Sequence, residues 1–139
     1  MIGVNPMRVS LDHAHIFASD PLATVQFFQA MFGADVVWDE TVAGARGIRL
    51  QIGRAFINVY DQAPKAARGG AFHHLGIETD DLAGLVRHMT ARGYHFRNPI
   101  RDDRSFRYVM IAGPDDLLIE LFECHETARW RIDSGPPAR

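Results

Sequence analysis

The sequence predicts an α+β fold built from two tandem βαβββ modules, forming a curved mixed-sheet cup with helices on its outer face. Three observations carry this: an internal repeat, a start and stop signal for one helix in each copy, and strand segments whose apolar residues alternate. The repeat pairs LDHAHIFASDPLATVQFFQAMFGADV, from Leu11, with FHHLGIETDDLAGLVRHMTARGYHF, from Phe72. One interval, 61 residues, separates both His13 from His74 and Asp20 from Asp81. FINVYDQ from Phe56 aligns with LIELFEC from Leu118, which sets Asn58 against Glu120 at an interval of 62, so the loops between differ by one residue. Module 1 is placed at about 9–62, a linker at 63–70, module 2 at about 71–124 and a tail at 125–139, all within a single domain.

Each copy opens on a short strand, with Ala14, Ile16 and Ala18 alternating in the first and Leu75 and Ile77 in the second. Asp20 and Asp81 follow as N-caps, because a carboxylate can accept the unpaired N–H groups of a helix start. Pro21 suits the first helical position, which needs no N–H donor. Leu22, Val25, Phe28, Met31 and Phe32 then fall near one helix face, and Leu82, Leu85, Val86 and Met89 near the other helix's face. Gly33 and Gly93 end the helices, since glycine enters the left-handed cap without a Cβ penalty. Strands are expected at 35–40, 46–52 and 55–60 in the first copy and at 94–100, 105–111 and 117–123 in the second. The charge run RDDR at 101–104 reads as a solvated loop.

Bulk properties exclude several classes. At 139 residues, nearly half apolar, the chain can bury a core without disulfides. A formal charge of -2 and a pI of about 6.4 give no electrostatic basis for nucleic acid or an anionic membrane as partner. The single cysteine, Cys124, cannot form an internal disulfide, fits a reducing cytoplasm, and lacks a neighbour that would activate a thiolate. The start MIGVNPMRVSLDHAH lacks the apolar stretch of a signal peptide, and no run approaches a membrane helix.

Strand parity separates two chemical faces. Ile48, Leu50 and Ile52 form an apolar face, and Arg49 and Gln51 the other. If the apolar faces meet the helices, the opposite faces carry His13, His15, Arg49, Gln51, Asn58, Tyr60, His74 and Glu120. That set is too polar for a dry core and suits a concave site. His13 and His74 open equivalent strands, and Glu120 lies mid-strand among Leu117, Leu118, Ile119, Leu121 and Phe122. A carboxylate in such company is costly to bury without a cation. Two imidazoles and one carboxylate leave coordination positions open for substrate. Singly, each residue also reads as an ordinary half-buried or solvated side chain; jointly, at repeat-equivalent positions, they point to a metal. Of the other residues, His15 is weighed as catalyst or cleft spacer, and Arg49 as anion binder or structural ion pair. His73, His88, His95 and His125 are read as surface or packing residues.

On DHAHIFASDPLATVQFFQAMFG, FHHLGIETDDLAGLVRHMTARGY and GPDDLLIELFE, about residues 9–124, the chain resembles the vicinal oxygen chelate superfamily. That group contains glyoxalase I, methylmalonyl-CoA epimerase, extradiol dioxygenases, and fosfomycin and bleomycin resistance proteins. The resemblance implies paired modules completed in a homodimer, with His13, His74 and Glu120 as metal ligands. Asn58 departs from the Glu, Gln or His that supplies a fourth ligand in glyoxalases and epimerases. The three-ligand count therefore favours an Fe(II) dioxygenase acting on a small oxygen-bearing substrate, with Mn, Ni, Co or Zn as other metals the site could take. Catalytic roles are then expected for His15, Tyr108 and Glu120, and substrate contacts for Arg49, Gln51, Asn58 and Tyr60. A glyoxalase- or epimerase-type lyase or isomerase, a fosfomycin-like transferase and a non-catalytic small-molecule binding protein are the alternatives. The loop GPDD departs from the family's DPDG but should still turn.

Overall fold

The computed structural model describes residues 13–42, 44–64, 72–103 and 106–125. Module 1 comprises β1 (His13–Ala18), α1 (Pro21–Phe32), β2 (Asp35–Val42), β3 (Ala45–Ile52) and β4 (Ala55–Asp61). Module 2 comprises β5 (Leu75–Glu78), α2 (Leu82–Ala91), β6 (Arg101–Asp102), β7 (Phe106–Ala112) and β8 (Leu118–Cys124). Each module makes a four-stranded mixed sheet, in the orders β1-β4-β3-β2 and β5-β8-β7-β6. The first strand runs parallel to the last, and the remaining pairs are antiparallel. This is the tandem βαβββ organisation the repeat predicts.

The helix ends follow the sequence signals. Asp20 accepts from the Ala23 N–H at 3.0 Å, and Asp81 from the Gly84 N–H at 2.9 Å. Gly33 caps α1 in the left-handed region at φ 66°, and Gly93 follows the α2 cap at φ 90°. Leu22, however, is 50% exposed, and the buried α1 residues are Thr24, Val25 and Phe28. At about 100° per residue Leu22 lies roughly 120° around the axis from Phe28, outside the sheet-facing stripe.

Strand parity holds. Ile48, Leu50, Ile57 and Val59 of module 1 join Val109, Ile111, Ile119 and Leu121 of module 2 in one buried cluster with Phe28, Leu82 and Met89. Two links tie the modules further. His88 Nε2 lies 2.9 Å from the Ala30 carbonyl, an otherwise unpaired acceptor in the last turn of α1, and the Ser19 N–H donates to Asp115 Oδ2 at 3.0 Å. His88 is thus an inter-module contact.

Module 2 departs from expectation at its edge. Residues 94–100 form no strand, and the RDDR run expected as a loop supplies the short β6, with Arg101 opposite Tyr108 and Asp102 opposite Arg107. Pro99 has no N–H to give a ladder. The Tyr94 hydroxyl instead binds the end of β7, donating to the Ala112 carbonyl at 3.0 Å and accepting from its N–H at 3.2 Å. GPDD turns as a 3₁₀ segment (Pro114–Asp116), with Asp115 and Asp116 at φ 55° and 57°. Most of the expected linker and tail lies outside the described residues, as does the start of module 1 before His13.

Candidate metal centre

His74 immediately precedes β5, and Glu120 sits on β8, the strand that pairs with β5 in parallel. The register sets Gly76 opposite Glu120, so the position next to the carboxylate carries no side chain. His74 Nε2 lies 3.9 Å from Glu120 Oε2. Two donors each about 2.0–2.2 Å from one ion can stand at most about 4.4 Å apart, so this pair fits a shared cation. The Glu120 side chain is 22% exposed, and among the described residues His74 is its ionic neighbour. A carboxylate so placed, on a half-buried strand face with Met110 and Gly76 as its register partners, fits a cation at this point.

His73 completes the arrangement from the other side. Its Nδ1 lies 2.8 Å from His74 Nδ1, with the two rings 78° apart. The sequence suggests a surface or packing role for His73, and strand parity would send it to the face opposite His74. Residues 72–74 are not in a strand, so parity does not govern them. The HH doublet was the signal available.

His13, exposed on β1, pairs in register with Phe56. Among the described residues no three His, Cys, Asp or Glu side chains converge, so one chain brings together His74 and Glu120 without His13. The rest of the polar face of module 1 forms its own assembly. Arg49 lies over the Phe56 ring at 4.0 Å and donates from Nη1 to Asn58 Oδ1 at 3.3 Å. His15 packs on Tyr60, with ring centroids 5.2 Å apart, and Gln51 donates to the Gly53 carbonyl at 3.2 Å.

On module 2, Met110 faces Glu120 across the β7–β8 ladder, and Tyr108 faces Phe122. Tyr108 and Met110, with Asn98, Pro99, Arg101 and Val109, line a cleft of about 230 Å³. A larger cleft of about 420 Å³ between the helices, lined by Met31, Phe32, Ile52, Ile77, Leu85 and His88, contains none of the expected site residues. Chemistry therefore favours the smaller one. Arg101, from the charge run whose sequence suggests a solvated loop, is among its lining residues. No helix among the described residues is long and apolar enough to cross a membrane.

Comparison with known structures finds the same fold. A fosfomycin resistance protein, FosX, from Listeria monocytogenes, complexed with Mn(II) and sulfate, matches at TM-score 0.68 and 15% identity, over 90% of this chain and 100% of that one. A mutant of that protein with Mn(II) and 1S,2S-dihydroxypropylphosphonic acid matches at 0.72 and 18%, over 89% and 98%. An integron cassette protein from the V. cholerae mobile metagenome matches at 0.62 and 25%, over 85% and 98%. Comparison with curated protein sequences finds no match. The family model for the Glyoxalase/Bleomycin resistance protein/Dioxygenase superfamily matches residues 10–121, and with the paired βαβββ sheets this makes the chain a member of that superfamily.

Proposed function

We propose that the chain is a metal-dependent enzyme of the fosfomycin-resistance type, transforming a small oxyanion-bearing molecule held at a divalent ion. The observation that carries this reading is the 3.9 Å approach of His74 Nε2 to Glu120 Oε2. The cleft that Met110, the register partner of Glu120, helps to line supports the substrate class, because it also holds Arg101 and Tyr108, residue types that can meet an oxyanion. The FosX structures, held with Mn(II) and with sulfate or a phosphonate, favour manganese and an oxyanion ligand over the iron and dioxygen expected from ligand count. When bound, a divalent ion supplies Lewis acidity toward an oxygen of its ligand. Glu120 and His74 would hold that ion, and Arg101 and Tyr108 on the cleft wall would meet the oxyanion.

The third ligand in this reading is His13 of the partner subunit. The polar faces of the two sheets lie on the sides turned away from the shared core. His13, His15 and Phe17 of β1 are exposed on one, while His74 and Glu120 occupy the other. A homodimer that sets the module 1 face of one copy against the module 2 face of the other joins the three ligands.

The test is phosphorus NMR of fosfomycin incubated with the protein and Mn(II). A new phosphonate resonance that requires both supports the reading. An unchanged spectrum with Mn(II) bound, in water alone and with a thiol added as nucleophile, removes fosfomycin as substrate and leaves the metal centre standing.

A further inference from the structure

We infer that His73 is a positioning residue that holds His74 in the tautomer able to ligate a metal. The inference rests on the metal reading above and adds to it a function for a residue outside the ligand set. The two Nδ1 atoms are 2.8 Å apart. Ring nitrogens at that distance share one proton, because two lone pairs facing each other repel and two N–H groups clash. The remaining nitrogen of His74, Nε2, faces Glu120. A ligating imidazole nitrogen must be unprotonated, so when His74 ligates, its proton belongs on Nδ1. His74 is then the donor, His73 Nδ1 the acceptor, and His73 carries its own proton on Nε2.

Ligand histidines usually give this proton to a carboxylate or a backbone carbonyl. Among the described residues the hydrogen-bond partner of His74 Nδ1 is His73. The near-perpendicular rings, 78° apart, let the His73 lone pair point along the His74 N–H and fix the ring's rotation about its Cβ–Cγ bond. Asparagine provides a matched control: its Oδ1, like His Nδ1, stands two bonds from Cβ and accepts, whereas leucine has similar bulk and no acceptor.

The experiment uses the full chain, with Mn(II) alone as the probe. Mn(II) affinity, read by calorimetry, should fall about 10- to 100-fold in His73→Leu and stay within a few-fold in His73→Asn. Equal losses in the two variants overturn the acceptor role of His73. Unchanged affinity in His73→Leu overturns the role of His73 alone. A wild-type protein that binds no Mn(II) overturns the metal reading beneath it.

Discussion

Arg49 donates from Nη1 to Asn58 Oδ1 at 3.3 Å across the β3–β4 ladder, where the two residues are direct register partners. The amide oxygen, the one atom of Asn58 able to ligate a metal, is thereby engaged by a guanidinium that also covers Phe56. This bears on the residue that the family resemblance sets against the fourth-ligand position of glyoxalases and epimerases. An oxygen already accepting from a cation is a poor ligand for a second one.

Asn58→Ala should therefore leave Mn(II) affinity within a few-fold of wild type, well short of the roughly 10- to 100-fold typical of lost outer partners of a metal ligand. Titration calorimetry checks this. Outright loss of metal would show that Asn58 leaves Arg49 to complete the site, and would favour the lyase or isomerase class.

The shared site has a sharper test. His13→Ala and Glu120→Ala should each remove bound Mn(II). When the two variants are denatured and refolded together, subunit exchange pairs an intact His13 with an intact His74 and Glu120 in the mixed dimers. About a quarter of the sites should then return, the statistical yield for a two-fold assembly. Absence of recovery in mixed dimers identified by mass spectrometry would refute the cross-subunit arrangement.

A pH dependence follows from the β2–β3 hairpin. Arg46 donates from Nε to Asp39 Oδ1 at 2.8 Å and from Nη2 to Oδ2 at 2.6 Å. These hydrogen bonds hold the Asp39 carboxyl below its ordinary value, reinforced by the opposite charge of Arg46. A depressed folded-state pKa stabilises the fold above the unfolded carboxylate range, and that contribution is lost as pH falls through the folded value. The pair is solvent-exposed, so its effect on stability should be small and salt-sensitive. Carbon-detected NMR titration should place the Asp39 midpoint below that of a free aspartate, and Arg46→Gln should raise it. An unshifted midpoint in wild type would contradict the bidentate pair.

Core and cap substitutions should separate by size. Phe28 is fully buried in the cluster that unites the modules, so Phe28→Ala should cost about 3–5 kcal/mol. Asp81→Ala removes one helix cap and should cost about 1 kcal/mol. Urea unfolding measures both, and equal losses would argue against this division of roles.

The parts of the fold legible in the sequence are those set by local chemistry. The caps at Asp20 and Asp81 depend on a carboxylate and the helix it starts, and Gly33 on a left-handed backbone position. Strand parity put Ile48, Leu50, Ile119 and Leu121 inside without knowledge of the neighbours, because side chains on any strand alternate. The repeat set His13 against His74 and Asn58 against Glu120, since two copies of one module bury the same face.

Long-range packing decided the rest. Leu22 is apolar and periodic, yet it stays exposed because it lies off the helix stripe that Phe28 turns to the core. Arg101 and Asp102 became a strand edge because β7 offered them a ladder, while 94–100 did not, with Pro99 in its path and the Tyr94 hydroxyl serving the end of β7. The candidate site shows the same division. The sequence by itself determined which residue types could bind a metal, because imidazole and carboxylate chemistry is intrinsic to them. Only the tertiary structure decided which of them meet, because β5 and β8 must pair before His74 can approach Glu120, and the chain must leave the strand at residues 72–74 before His73 can turn toward His74.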